Sequence, residues 1–202
     1  MPSFQQAQFV SSAVKAEDVP PPAEAELVFA GRSNVGKSSA INALCGRRKL
    51  AFASKTPGRT RSINFFDLGR GGRLVDLPGY GYASAPRALR ATWEGLIGGF
   101  LASRRRFAGI VLLSDARRPL TPSDRQFLAW LAPVESPRLV LLSKADKLSR
   151  AERDRALAHA RRSLEESGVA AATMLFSSKD RTGLEEARAL LELWITQTKN
   201  PR

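Results

Sequence analysis

Sulfur, histidine and long apolar runs are scarce in this chain, and each shortage excludes something. Cys45 is the single cysteine among 202 residues, so no disulfide can form within the chain, and such usage suits a reducing compartment. The single histidine, His159, lies in a charged helical stretch, where a solvated surface residue is expected rather than a catalytic base. No apolar run approaches the ~18 residues needed to span a bilayer. Met1 to Val19 also lacks the apolar core behind positive charge that marks a secretory signal, so a cytoplasmic protein is expected. Internal repeats and long low-complexity tracts are absent. Acidic residues are outnumbered, 19 Asp and Glu against 32 Lys and Arg, for a net charge of +13. That balance suits a polyanionic partner such as RNA, DNA or an anionic membrane, although a general preference for Arg and Ala would give the same composition.

What is present centres on Gly31-Arg32-Ser33-Asn34-Val35-Gly36-Lys37-Ser38-Ser39. Two glycines followed by Lys and Ser match the phosphate-binding pattern G-x-x-x-x-G-K-[ST]. Glu26 to Ala30 reads as a buried strand before the loop, and Ser38 to Leu44 as a helix after it, which is the context the pattern requires. Glycine lets the backbone turn tightly and aim its N–H groups at phosphate oxygens, where the helix dipole also favours negative charge. Lys37 would reach the β- and γ-phosphates, and the Ser38 hydroxyl would ligate Mg2+. A chance match in a Gly/Ser-rich loop, or a loop for some other phosphate, is the competing reading.

The rest of the chain supplies strands and helices in alternation. Residues 1–23, ending in Pro20-Pro21-Pro22, read as an arm with one short strand around Phe9. Residues 46–62 are basic and without periodicity, as functional loops often are. Two strands, 63–68 and 73–76, follow as a hairpin around Gly69 to Gly72. Helical spacing over Ala88 to Ser103 runs through Leu89, Trp93, Leu96, Ile97 and Phe100. Apolar strands are expected at 109–114, 138–143 and 171–176, with helices at 122–131, 149–167 and 184–196. Thr121 is expected to cap the helix at 122–131, with Pro122 in its first turn. The pattern implies a mostly parallel sheet with helices on both faces.

In such a sheet ligands sit beyond the carboxyl ends of the strands. One strand ends at Asp76-Leu77-Pro78-Gly79, offering a carboxylate for Mg2+ and a glycine N–H for a γ-phosphate. Another ends at Ser143-Lys144-Ala145-Asp146, where the Asp can accept hydrogen bonds from guanine N1–H and its exocyclic amine; adenine has no N1–H to give. The last ends at Phe176-Ser177-Ser178, where a backbone N–H can read the guanine carbonyl.

These motifs, in this order, resemble a translation-factor-type GTPase. Four stretches, Gly31 to Ser38, Lys55-Thr56-Pro57-Gly58-Arg59-Thr60, Asn64-Phe65-Phe66 and Asp76-Leu77-Pro78-Gly79-Tyr80-Gly81-Tyr82-Ala83, are similar to the EngB (YihA/YsxC) group of bacterial GTPases over about residues 25–195. The resemblance implies a Ras-like P-loop GTPase domain with a six-stranded sheet over 24–198, flanked by the arm at 1–23 and a tail at 199–202. It implies GTP hydrolysis coupled to assembly of the large ribosomal subunit. Thr60 would join Ser38 and Asp76 at Mg2+, and Gly58, Arg59, Arg61 and Ser62 would lie at the nucleotide. Catalytic roles fall to Lys37, Asn34, Thr60 and Gly79. Ser143 stands where relatives carry Asn or Thr, and Arg61-Ser62 where they often carry Gln and an apolar residue.

Tyr80 stands where Ras-like enzymes place a water-orienting Gln, so slow intrinsic hydrolysis is expected. The resemblance suggests K+ held near Asn34 as the completing charge, and Arg59 or Arg61 acting as a finger competes with it. Ribosomal RNA or the large subunit is the expected partner of a monomer, with neither DNA nor stable membrane insertion. Arg104-Arg105-Arg106, Arg117-Arg118 and Arg161-Arg162 are candidate phosphate contacts or simply solvated helix faces. Two other readings stay open: a GTP-gated adaptor for a protein or membrane partner in cell division and septation, and a P-loop kinase or ATPase.

Overall fold

Along β2 (Ala25–Gly31) every residue is buried, and successive side chains serve opposite faces. Val28 and Ala30 enter one apolar cluster, Leu27 and Phe29 the other. The same alternation runs through β5 (Gly109–Asp115), with Ile110 and Leu112 against Val111 and Leu113. It continues in β6 (Arg138–Ser143), with Val140 and Leu142 against Leu139 and Leu141. Strands apolar on both sides must be covered on both sides, so helices flank the sheet.

The computed structural model describes residues 3–51, 62–81 and 87–199. Among them, β1 (Gln8–Ala13), β3 (Ile63–Asp67), β4 (Gly72–Asp76) and β7 (Ala172–Leu175) complete a seven-stranded sheet in the order β1-β3-β4-β2-β5-β6-β7. Strands β4, β2, β5, β6 and β7 pair parallel; β3 pairs antiparallel with β4, and β1 antiparallel with β3, so β3 alone runs against the rest. Six strands were expected from the resemblance; the seventh is β1, at the edge beyond β3. It is the short strand expected around Phe9; its residues are mostly exposed and only Ala13 is buried, and it joins the sheet through backbone pairing with a register shift between Phe9 and Ser11.

Helices α2 (Arg87–Ala102), α3 (Pro122–Trp130) and α4 (Arg150–Glu166) cover one face through Ile97, Phe100, Leu128, Ala160 and Leu164. Helices α1 (Lys37–Leu44) and α5 (Leu184–Lys199) cover the other through Ile41, Leu44, Leu191 and Ile195. Arg188 of α5 donates to the carbonyls of Leu44 (3.0 Å) and Ala43 (3.3 Å), satisfying the C-terminus of α1. Cys45 follows there, and burial pushes its thiol up to about 12 against the pull of Arg188 and Arg47. Among the described residues no helix is long and apolar enough to cross a membrane.

A buried carboxylate pins the start of β2. Glu26, 3% exposed, accepts from Arg73 (3.0 Å) and Arg104 (2.8 Å), and those guanidiniums also hold the carbonyls of Pro21 and Pro20. Arg104 is thereby removed from the expected phosphate-contact cluster, since a guanidinium committed to a buried acid is not free for RNA; Arg105 and Arg106 are exposed.

Candidate functional site

The phosphate end is built from the carboxyl ends of β2 and β4. After Gly31 the chain turns through Arg32, Ser33, Asn34 and Val35, and Gly36 enters α1 at φ +103°, a conformation glycine adopts without a Cβ penalty. Ser38 and Ser39 follow in the first turn of α1. Lys37 is buried and its ammonium pairs with the Asp76 carboxylate from the end of β4. Leu77, Pro78, Gly79 and Tyr80 then run beside the loop. Leu77 N–H donates to the Phe29 carbonyl (2.9 Å), Tyr80 N–H to the Gly31 carbonyl (3.3 Å), and Ser33 N–H to the Tyr80 carbonyl (3.1 Å). Gly79 packs so closely that a Cβ there would lie 2.7 Å from the Ser33 hydroxyl.

Two polar groups at this end, the Ser33 hydroxyl and Arg32 Nε, are buried and lack a hydrogen-bond partner among the described residues. Ser38 and Asp76 offer oxygen donors, the set that suits Mg2+. No cluster of three or more His, Cys, Asp or Glu able to hold a metal occurs among the described residues.

The base end lies across the same loop. Ser143 Oγ donates to the Val35 carbonyl (2.7 Å), which answers the departure from Asn or Thr: the short hydroxyl reaches the phosphate loop by itself. Lys144, in the left-handed region at φ +60°, donates to the Asn34 carbonyl (2.8 Å) and to Asp115 (3.0 Å). Ala145 is buried and its N–H donates to the Phe176 carbonyl (3.1 Å). Asp146 accepts from the Ser177 hydroxyl (2.9 Å), which leaves its second oxygen near Lys147 at 3.6 Å. Phe176 and Ser177 are buried and Ser178 is exposed. The phosphate loop and residues 76–79, 143–146 and 176–178 thus gather at the carboxyl ends of parallel strands, whereas Phe65 and Phe66 of β3 lie in the core.

Gly58, Arg59, Thr60 and Arg61 lie outside the described residues, as do Lys55 to Pro57, Tyr82 and Ala83. Ser62 is half-buried at the start of β3, its hydroxyl donating to Asn64 at 3.2 Å. His159 is exposed on α4.

Two partners were missed by the sequence reading. Asp115 ends β5 and takes two side-chain hydrogen bonds from Arg117 (2.9 and 2.7 Å) besides the one from Lys144. Burial opposes its ionisation, but the Arg117 and Lys144 bonds win and hold the carboxyl well below the usual carboxylate range. Its place at a strand's carboxyl end was the available signal. Asp124, 1% exposed at the third position of α3, accepts from the Tyr80 hydroxyl (2.7 Å), Ser114 (3.0 Å) and the Thr121 N–H and hydroxyl (2.9 Å each). The Tyr80 ring stacks on Phe127 at 5.0 Å and 16°. Burial, reinforced by the Asp124 charge, raises its phenol far above the ordinary value.

A phosphate loop between two strand ends, facing a base-end Asp across a parallel sheet, defines the class: this is a P-loop GTPase. A family model described as 50S ribosome-binding GTPase matches residues 26–144. The probable GTP-binding protein EngB of Dechloromonas aromatica is 48% identical over 197 residues, spanning 96% of this chain and 90% of that protein. Its counterpart in Thiobacillus denitrificans is 50% identical over 194 residues, spanning 96% and 93%. A crystal structure of a probable GTP-binding protein engB has TM-score 0.69 at 24% identity, covering 86% of this chain and 100% of that one. Era in complex with MgGDPNP and nucleotides 1506–1542 of 16S ribosomal RNA has TM-score 0.64 at 19% identity, covering 85% and 57%, a likeness of fold. The chain belongs to the EngB family of GTP-binding proteins.

Proposed function

We propose that residues 24–198 bind GTP with Mg2+, hydrolyse it slowly, and use the two nucleotide states as a switch in assembly of the large ribosomal subunit. The observation that carries this reading is the joining of two ends by one loop. Asn34 and Val35 give their carbonyls to Lys144 and Ser143, while the same loop delivers Lys37 to Asp76. Asp146, fixed by Ser177, keeps an oxygen for guanine, and Lys144 lies along the base.

At the phosphate end Lys37 would exchange Asp76 for the β- and γ-phosphates, and loop N–H groups would take the remaining oxygens. Ser38, Asp76 and Thr60 would hold Mg2+, which supplies charge neutralisation between the phosphates. Gly79 N–H would meet the γ-phosphate. Slow turnover follows from Tyr80, whose hydroxyl is given to Asp124 rather than to water. K+ beside Asn34 is the favoured completing charge, and equal turnover in K+ and Na+ would remove it. The exposed arginines Arg105, Arg106, Arg117, Arg118, Arg161 and Arg162 are the RNA-facing candidates of a monomeric cytoplasmic protein.

The test is co-sedimentation with purified large ribosomal subunits at physiological salt, comparing a non-hydrolysable GTP analogue with GDP. Retention with the analogue and release with GDP is the expected result. Failure in both states would overturn the ribosomal reading and direct attention to a protein or membrane partner.

A further inference from the structure

We propose that Ser33 is a catalytic residue whose hydroxyl contacts the γ-phosphoryl group and the attacking water. The proposal rests on the GTPase reading above. It starts from a side chain that is already committed. Tyr80 follows Asp76-Leu77-Pro78-Gly79, the place from which a water-orienting amide would act, but its hydroxyl is 2.7 Å from the buried Asp124 and its ring stacks on Phe127. Its backbone is bridged to the phosphate loop as well, through Gly31 and Ser33. Turning this residue toward the nucleotide would strip a buried carboxylate of a donor, so the orienting group must come from elsewhere.

The Ser33 hydroxyl is available. It is buried and, among the described residues, has no hydrogen-bond partner. Buried polar atoms are normally paired, so an orphan inside a ligand site points to a partner that arrives with the ligand. Its position within the loop says which part of the ligand. The next two carbonyls, of Asn34 and Val35, are engaged by Lys144 and Ser143 on the base side. Ser33 instead faces the other strand end, where its hydroxyl lies 2.7 Å from the point a Gly79 Cβ would occupy. Gly79 is the residue whose N–H is expected at the γ-phosphate, so Ser33 sits at the terminal phosphate.

A hydroxyl donates one hydrogen bond and accepts two, which allows both contacts at once. The Ser33 O–H donates to a γ-phosphoryl oxygen, and its lone pair accepts from a water O–H. The water oxygen forms a bond to the γ-phosphorus while the bond from that phosphorus to the bridging oxygen breaks. The bridging oxygen keeps the electron pair and leaves with GDP, and the water proton ends on the released phosphate. Ser33 itself gains and loses no proton over the cycle.

The experiment uses the full chain with Mg2+ and compares Ser33→Ala and Ser33→Thr with wild type. Single-turnover GTP hydrolysis is read beside the affinities for GDP and for a non-hydrolysable GTP analogue. The expected result is a ~10- to 100-fold slower chemical step for Ser33→Ala, the range of a lost hydrogen bond to a charged group. GDP affinity stays within about twofold, and Ser33→Thr keeps most of the rate because it keeps the hydroxyl. An active wild type with an equally active Ser33→Ala would overturn the role of Ser33 alone. Equal weakening of GDP and analogue with an unchanged chemical step would overturn it too, marking a merely structural residue. Ser33→Thr as slow as Ser33→Ala would count against the hydroxyl. A wild type that turns over no GTP would instead sink the GTPase reading and this proposal together.

Discussion

The two ends of the nucleotide site are in different conditions. At the base end the working groups already have partners: Asp146 is held by Ser177, Lys144 by Asp115 and the Asn34 carbonyl, and Ser143 by the Val35 carbonyl. At the phosphate end Lys37 is parked on Asp76, and the Ser33 hydroxyl and Arg32 Nε are buried without partners among the described residues. Groups held in place lose little freedom on binding, so a base can be recognised at small cost. On the proposed reading, the phosphate end would instead break the Lys37–Asp76 pair and recover that loss when a charged ligand enters. Preorganisation at one end and an unsatisfied arrangement at the other suit a protein that keeps guanine while distinguishing phosphate states.

The largest effect should come from spoiling the prepared end. Asp146→Asn replaces an acceptor-only carboxylate with a group that presents a donor to guanine, and GDP affinity should fall by about a thousandfold or more. A xanthine nucleotide, with an oxygen in place of the exocyclic amine, should bind this variant better than GDP does. Undiminished GDP affinity would mean that the base is read elsewhere. At the other end, Lys37→Ala leaves Asp76 buried and uncompensated, and the nucleotide-free chain should lose about 3–5 kcal/mol of unfolding free energy in urea. A variant as stable as the parent would show that the pair is incidental.

The smallest effect concerns pH and returns to the base end. The Asp115 carboxyl is held below its ordinary range, so its contribution is present above the unfolded value, about 3.9, and is lost only as pH falls through the lower folded value. The stability difference between the parent and Asp115→Asn should be constant from about pH 7 to 5 and shrink below about pH 4. A difference that titrates between pH 5 and 7 would refute the assigned cause.

Much of this was legible before any coordinates. The phosphate loop, Asp76 and the Ser143 to Asp146 stretch could be read because each is a local pattern at a strand end, where open parallel sheets place their ligands. The buried strands announced themselves by continuous apolar runs such as Ile110 to Leu113. What stayed hidden depends on long-range meetings or on side chains that look ordinary in one dimension. The short strand around Phe9 was expected, but its pairing as the sheet edge against β3 was not, because an exposed edge carries no burial signal to name its neighbour. Arg104 read as part of a basic surface run until Glu26, far away in the chain, claimed it. Tyr80 was noticed for the Gln it replaces, while its engagement with Asp124 and Phe127 required α3 to be folded against it.

The clamp on Glu26 has a mechanical consequence for the phosphate loop. In β2 the chain between Glu26 and Gly31 is fully extended within the sheet, a span of about 17 Å at the usual rise per residue. Two guanidiniums and the Pro20–Pro21 carbonyls hold one end of that span, so the strand behaves as a gauge of set length. Sliding by one residue would swap the two apolar clusters and draw Gly31 away from Gly79 and Ser33. The place where phosphate meets the loop is therefore measured from an anchor at the opposite edge of the molecule.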